Sequence, residues 1–133
     1  MLKRLTVPFA MLAAVGGSLF VGVAPAAAAP ATCTSIAYYQ DAQVPATSSG
    51  SVNCQLRQGN RGTAVSQLQN TLALCGGFLP WDGIDGDFGT DTKAALQRAQ
   101  RAGGVSADGI YGPNTRRAIK HQSASGVSCR DIS

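Results

Sequence analysis

Residues 85–92 read DGDFGTDT and residues 108–115 read DGIYGPNT, so Asp, Gly, an aromatic residue, Gly and Thr recur at an offset of 23. A shorter copy, GNRG, occupies residues 59–62. The first glycine of each pair can take the positive φ of a sharp turn, and the second suits the N-cap of a helix. A proline after the last glycine pair suits the first helical position. The repeat predicts three loop-to-helix units whose structural residues are Gly59, Gly62, Gly86, Gly89, Gly109, Gly112 and Pro113.

Apolar residues recur at helical spacing after each loop. Val65, Leu68 and Leu72 lie on one face of a helix that we predict over 63–74, and a glycine pair ends it. A second helix is predicted to end at about residue 102, and a short third helix fades near His121. No segment alternates convincingly as a strand. The predicted fold class is all-α, a small three-helix bundle with Gly-rich loops.

The first thirty residues have the order of a secretory signal. Lys3 and Arg4 precede an apolar stretch, and small residues lead to an A-x-A-type cleavage site near Ala28 or Ala29. A transmembrane anchor is the alternative, because the apolar stretch is nearly long enough to span a bilayer. Internal proline and glycine residues and the Ala-rich exit favour cleavage. We predict a signal peptide at 1–29, an irregular leader at 30–53 and one domain at 54–133.

Composition narrows the classes of function. Of the 11 basic residues, nine remain after the signal, against seven Asp, so the mature chain has a charge of +2 (9 minus 7). That surplus does not indicate a nucleic-acid surface. With one histidine, His121, a three-histidine zinc site is impossible, and no nucleophile or orienting acid can be assigned to it from spacing. We expect no metal, no cofactor and no catalytic residue.

Four cysteines in an exported chain predict two disulfides. Zinc is the competing interpretation, but the chain has no C-x-x-C pair. Three pairings are possible, and we favour Cys33 with Cys54 and Cys75 with Cys129. The second of these would close a loop of over fifty residues, which in the chain-entropy model contributes about 4 kcal/mol. Such staples would stabilise a small domain with an Ala-rich interior.

Three ordered motifs resemble the peptidoglycan-binding domain found on bacterial cell-wall hydrolases. They are L-x-x-G-x-x-G-x-x-V-x-x-L-Q-x-x-L from residue 56, D-G-x-F-G-x-x-T-x-x-A-L from residue 85, and G-V-x-x-D-G-I-x-G-P-x-T from residue 104. The resemblance covers about residues 54–121. It implies a compact three-helix fold that binds cell-wall glycopeptide without catalytic activity. The chain departs from the family by having Ala99 where an aromatic residue is usual, and by its cysteines.

Candidate ligand-binding residues are the lone tryptophan and several charged or aromatic loop and helix residues. The clustered Asp residues could alternatively hold calcium, but Leu96 stands where a bidentate Glu would be needed, and turn or capping roles are simpler. The tryptophan could instead cover the helix ends, and the arginines could form a solvated face. The candidates are Trp81, Asp85, Asp87, Arg98, Arg101 and Tyr111.

These observations predict a secreted, cell-wall-associated, monomeric module that binds peptidoglycan and does not alter it. No membrane or nucleic-acid partner is expected after the signal is removed. Two alternatives remain open. One is a small cell-wall hydrolase, although the residues outside the domain are too few for a separate catalytic domain. The other is a secreted protein-interaction or inhibitory module on the same scaffold.

Overall fold

The computed structural model describes residues 28–133, together with Gly17 and Gly22. The predicted signal peptide lies almost wholly outside these residues. No helix within the described part has the length and apolar character needed to cross a membrane. The elements, in chain order, are β1 (Ala31–Thr32), β2 (Ser35–Tyr39), β3 (Ala42–Ala46), β4 (Cys54–Gln55), α1 (Thr63–Leu74), a 3-10 turn (Trp81–Gly83), α2 (Thr90–Ala102), α3 (Pro113–Ala118), β5 (His121–Gln122) and β6 (Cys129–Arg130).

The predicted all-α class and three-helix bundle are wrong. Within the described residues, three helices are accompanied by short strands in three two-stranded sheets, β1 with β4, β2 with β3, and β5 with β6. The predicted irregular leader is wrong as well, because half of it, residues 35–46, forms the antiparallel hairpin β2–β3. Four of the five β3 residues are buried, so the strand lacks the alternation that identifies a half-exposed strand. Its turn uses Gln40 and Asp41 at positive φ, where glycine is the more recognisable signal.

The hairpin packs on α1 and has a small core of its own. Gln67, buried on α1, donates to the Gln43 carbonyl of β3 at 3.2 Å and to the Gln122 side chain of β5 at 3.0 Å. Val44 lies against Ile132 in a cluster separate from the main core. The helix, the hairpin and the C-terminal segment therefore form one packed unit.

Each helix starts at the second glycine of a pair. Gly62, Gly89 and Gly112 are the N-caps of α1, α2 and α3, and Pro113 is the first residue of α3. The first glycines, Gly59, Gly86 and Gly109, have φ values of 97°, 76° and 72°. At these angles a side chain would clash with the backbone, which explains the glycine spacing.

Backbone hydrogen bonds join the three loops. The amide of Gly62 donates to the Gly86 carbonyl at 2.9 Å, which links the first loop to the second. Leu56 and Tyr111 exchange two bonds of 2.8 and 2.9 Å, which link the first strand-loop segment to the third. The amino ends of the helices are thereby held together, and the main core forms beneath them. Its largest buried apolar members include Leu56, Leu68, Leu72, Phe88, Leu96 and Tyr111.

Two disulfides join distant parts of the chain, Cys33 to Cys54 and Cys75 to Cys129. They are the two pairs that the sequence argument favours. The first fastens the segment after β1 to β4, and the second fastens the C-cap of α1 to β6. Both ends of the described chain are therefore tied to the helical core.

Candidate functional site

An open groove of about 480 Å³, here called the loop groove, lies between the second loop and the outer face of α2. Three carboxylates, one guanidinium and several apolar residues line it. Residues that line it include Leu79, Pro80, Asp82, Asp85, Asp91 and Arg98. Two of the six predicted ligand residues, Asp85 and Arg98, therefore meet in one groove.

Trp81 opens the 3-10 turn next to the loop groove, between Pro80 and Asp82, which both line it. Its side chain is 63% exposed, an unusual state for the largest apolar side chain in a soluble domain. This exposure argues against a lid that fills the core. It favours a surface contact, since an exposed indole presents a flat apolar face that can pack against a sugar ring.

Asp85 is held by a buried glutamine. The Gln69 amide donates to the Asp85 carboxylate, the Asp87 carbonyl and the Thr92 hydroxyl, each at 3.0 Å, and its oxygen accepts from the amide of Gly86 at 2.8 Å. The Asp85 carboxylate also accepts from the Asp87 amide at 2.9 Å. Hydrogen bonds from the Asp87 backbone and from Gln69 lower the pKa of Asp85 below its usual value. Asp85 therefore shapes the loop as an anion.

A second buried glutamine repeats this arrangement in the third loop. The Gln100 amide donates to the Asp108 carboxylate at 2.8 Å, the Ile110 carbonyl at 3.0 Å and the Thr115 hydroxyl at 2.9 Å. Its oxygen accepts from the amide of Gly109 at 2.9 Å. Sequence reasoning did not assign these glutamines a role. A sequence pattern that could have identified them is a glutamine on the helix that precedes an Asp-Gly loop, as Gln69 precedes Asp85 and Gln100 precedes Asp108.

Of the other predicted charged residues, Asp87 and Arg101 do not line the loop groove, and Arg98, which lines it, also makes a hydrogen bond within the protein. Asp87 forms an exposed ion pair with Arg61, Nε to Oδ1, at 2.9 Å. Arg98 donates from Nη2 to the Phe78 carbonyl at 2.6 Å, which fixes the start of the 78–84 connection. Arg101 lies on the exposed side of α2, one turn further along.

Tyr111 has no accessible surface, so neither its ring nor its hydroxyl can meet a ligand in this conformation. Its ring packs edge-on against His121, with centroids 6.0 Å apart. His121 lies in β5, not at the end of α3 as the sequence suggested, and its Nε2 is 2.9 Å from the Arg116 carbonyl. Burial, with a smaller contribution from the charge of Arg116, lowers the pKa of His121 to about 4. The histidine is therefore a neutral core residue.

No group of three His, Cys, Asp or Glu side chains in the part of the chain that the structure describes is placed to hold a metal ion. The loop groove presents the carboxylates of Asp82, Asp85 and Asp91 and the guanidinium of Arg98, and the exposed indole of Trp81 lies beside it.

Comparison with known proteins assigns this helical segment to a family. Residues 61–119 match the family model described as "Putative peptidoglycan binding domain". The chain is 41% identical over 70 residues to a probable N-acetylmuramoyl-L-alanine amidase of Bacillus licheniformis, covering 53% of this chain and 20% of the amidase. It is 50% identical over 64 residues to the zinc D-Ala-D-Ala carboxypeptidase of Streptomyces albus G, covering 48% of this chain and 25% of the carboxypeptidase.

The chain thus spans a quarter or less of the length of these two relatives. Among solved structures, the crystal structure of the SleB N-terminal domain is 33% identical, with a TM-score of 0.44, and the match covers 48% of this chain and 85% of that one.

Proposed function

We propose that this chain, whose residues 61–119 belong to the peptidoglycan-binding domain family, is a secreted, non-catalytic module that binds peptidoglycan in the cell wall. The observation that carries the proposal is the family match itself, because it spans all three helices and the loops between them. Domains of this family are binding modules found on cell-wall hydrolases, whose catalytic domains lie elsewhere. The domain division at residue 54 stays a prediction.

Within this proposal, the loop groove and the exposed surface beside it contact the wall, with Arg98 in the groove and Trp81 and Arg101 next to it as contact residues. Trp81 offers its exposed face to a sugar ring. The arginines offer planar donors that match carboxylates on the stem peptides. Tyr111 acts indirectly, because it is fully buried, whereas Asp85 and Asp87 shape the loop through their Oδ1 atoms and are themselves exposed.

Sedimentation of the mature chain with purified, insoluble cell walls tests the function. We expect the wild type to sediment, and Trp81→Ala to bind about tenfold more weakly, which corresponds to about 1.4 kcal/mol. Val127→Ala is the matched control, because this residue is also a highly exposed apolar side chain, at 81%, and lies far along the chain from the loop groove.

Wild type that stays in the supernatant beside a sedimenting wall binder would refute peptidoglycan binding and favour a protein partner. Equal retention of wild type and Trp81→Ala would remove the tryptophan from the site. Release of reducing ends or free amines from the walls would refute the non-catalytic assignment and indicate a small hydrolase.

A further inference from the structure

A second groove, of about 200 Å³, lies at the opposite ends of the helices from the three glycine loops. The C-caps of α1, α2 and α3, which are Cys75, Gly103 and Ile119, all line it. We call it the carboxyl-end groove. Its volume is below the range of about 300–1,000 Å³ typical of drug-sized ligand sites, so it has room for one side chain and its neighbouring backbone.

Small residues keep the carboxyl-end groove open. Its wall includes Leu72, Phe78 and Ala99, and an alanine at position 99 leaves space that a larger side chain would fill. Gly103 lies so close to α3 that an added Cβ would meet the Ala118 carbonyl oxygen at 2.5 Å. The helix ends therefore converge beneath an apolar wall that suits an aliphatic chain and offers few donors for sugar hydroxyls.

The electrostatics of the carboxyl-end groove favour a cation inside it. Helix macrodipoles place partial negative charge at carboxyl ends, and here three such ends meet. Asp131, on the C-terminal segment, adds a full negative charge at the rim. The basic side chain that lines the groove is Lys120, which is also at the rim.

The two rim charges are available to a ligand. Lys120 Nζ and Asp131 Oδ2 are 3.4 Å apart, and the two side chains are 57% and 82% exposed. Exposed pairs of this kind contribute about 0–1 kcal/mol, so a ligand that brings both an amine and a carboxylate can replace the pair at little cost.

We propose that the carboxyl-end groove binds the diamino acid of an uncross-linked stem peptide. Its aliphatic chain lies against Ala99 and Leu72, its ammonium group meets the helix ends and Asp131, and a peptide carboxylate meets Lys120. The inference rests on the proposed function and deepens it, because it assigns recognition of the diamino acid of the stem peptide to a surface separate from the loop groove.

Two soluble probes test the inference on the mature chain by amide-resolved NMR titration: Nα-acetyl-lysyl-D-alanine and the same dipeptide with its ε-amine acetylated. We expect the free-amine probe to shift the amides of Ala99, Gly103 and Ile119, and the acetylated probe to bind at least tenfold more weakly. Equal binding of the two probes, or shifts confined to the loop groove, would overturn the inference.

Asp131→Asn should weaken binding of the free-amine probe about fivefold, because it removes the rim carboxylate. Asp41→Asn is its charge-matched control, since Asp41 is an exposed turn residue outside the carboxyl-end groove and should leave binding unchanged. Ala99→Phe, which fills the groove, should abolish binding, and its NMR spectrum shows directly whether it is folded. Probe binding that is equal in wild type and Asp131→Asn would refute the assignment.

Sedimentation separates failure of the inference from failure of the proposed function. Walls whose free amines have been acetylated should retain less of the wild-type chain than untreated walls. Full retention on acetylated walls would refute amine recognition at the carboxyl-end groove and leave wall binding intact. No retention on either wall would refute the proposed function.

Discussion

The side chains of Gln69 and Gln100 each stabilise one loop through several hydrogen bonds. Each amide group makes several hydrogen bonds while its side chain is fully buried. Truncation therefore removes one bond each from a carboxylate, a carbonyl and a hydroxyl, and leaves the backbone amide of Gly86 or Gly109 without its partner. A buried polar group left unsatisfied costs about 1–3 kcal/mol. We therefore expect Gln69→Ala and Gln100→Ala each to lower the free energy of unfolding by about 3 kcal/mol, measured by urea denaturation.

Gln97→Ala is the control for these variants. It shortens the same residue type on α2, but Gln97 makes one bond, of 3.3 Å, to the Ala107 carbonyl. We expect a loss below about 1 kcal/mol for it. If the three variants unfold at the same urea concentration, the buried amides do not hold the loops.

His121 makes stability depend on pH. Because its Nε2 bonds a carbonyl, which can only accept, Nε2 carries a proton, and burial favours the neutral ring. Its pKa is about 4 in the folded state and near 6.5 when unfolded. Above pH 6.5 both states are neutral. As the pH falls from 6.5 to 4, the unfolded chain takes up a proton that the folded chain does not, so stability falls by up to about 3 kcal/mol.

The difference between wild type and His121→Gln isolates this effect from the titration of Asp residues, because glutamine keeps a side-chain donor and does not titrate. We expect the free energy of unfolding of wild type to fall faster than that of the variant between pH 6.5 and 4. Parallel curves over this window would show that His121 is not held neutral by burial.

At the scale of the elements, the helices were predictable and the strands were not. The first two helices have the bounds that apolar spacing and glycine pairs predict, because those signals are local. The hairpin β2–β3 depends on packing against α1 and on a turn of Gln40 and Asp41, so tertiary contacts decide it. The third helix ends early because the chain turns into β5, which pairs with β6 near the second disulfide.

The candidate site shows the same division. Trp81 stands out in the sequence as a lone tryptophan in a loop, but its exposure, which argues against a lid over the helix ends, depends on the fold of the 78–84 connection. The burial of the Tyr111 hydroxyl could not be predicted, since it depends on α3 and β5 folding over the third loop. The carboxyl-end groove involves residues from all three helices and the C-terminal segment, and no local pattern brings these together.

The whole molecule is a small helical core whose two ends are fastened by disulfides of different span. Cys75–Cys129 has a sequence separation of 54, and Cys33–Cys54 one of 21. The loop-closure entropy that each removes from the unfolded chain gives about 4 and about 3 kcal/mol respectively. Both values are a large share of the 5–15 kcal/mol that stabilises an ordinary domain.

We expect the Cys75→Ser, Cys129→Ser double variant to be destabilised more than the Cys33→Ser, Cys54→Ser variant, in thermal unfolding followed by circular dichroism. The first variant also frees the segment that carries Asp131, so it should lose affinity for the free-amine dipeptide, because the rim carboxylate is no longer held over the helix ends. The second variant should keep that affinity, because its disulfide lies outside the groove lining. Equal loss of dipeptide affinity in both variants would mean that binding at the groove depends on global stability and not on the Cys75–Cys129 disulfide.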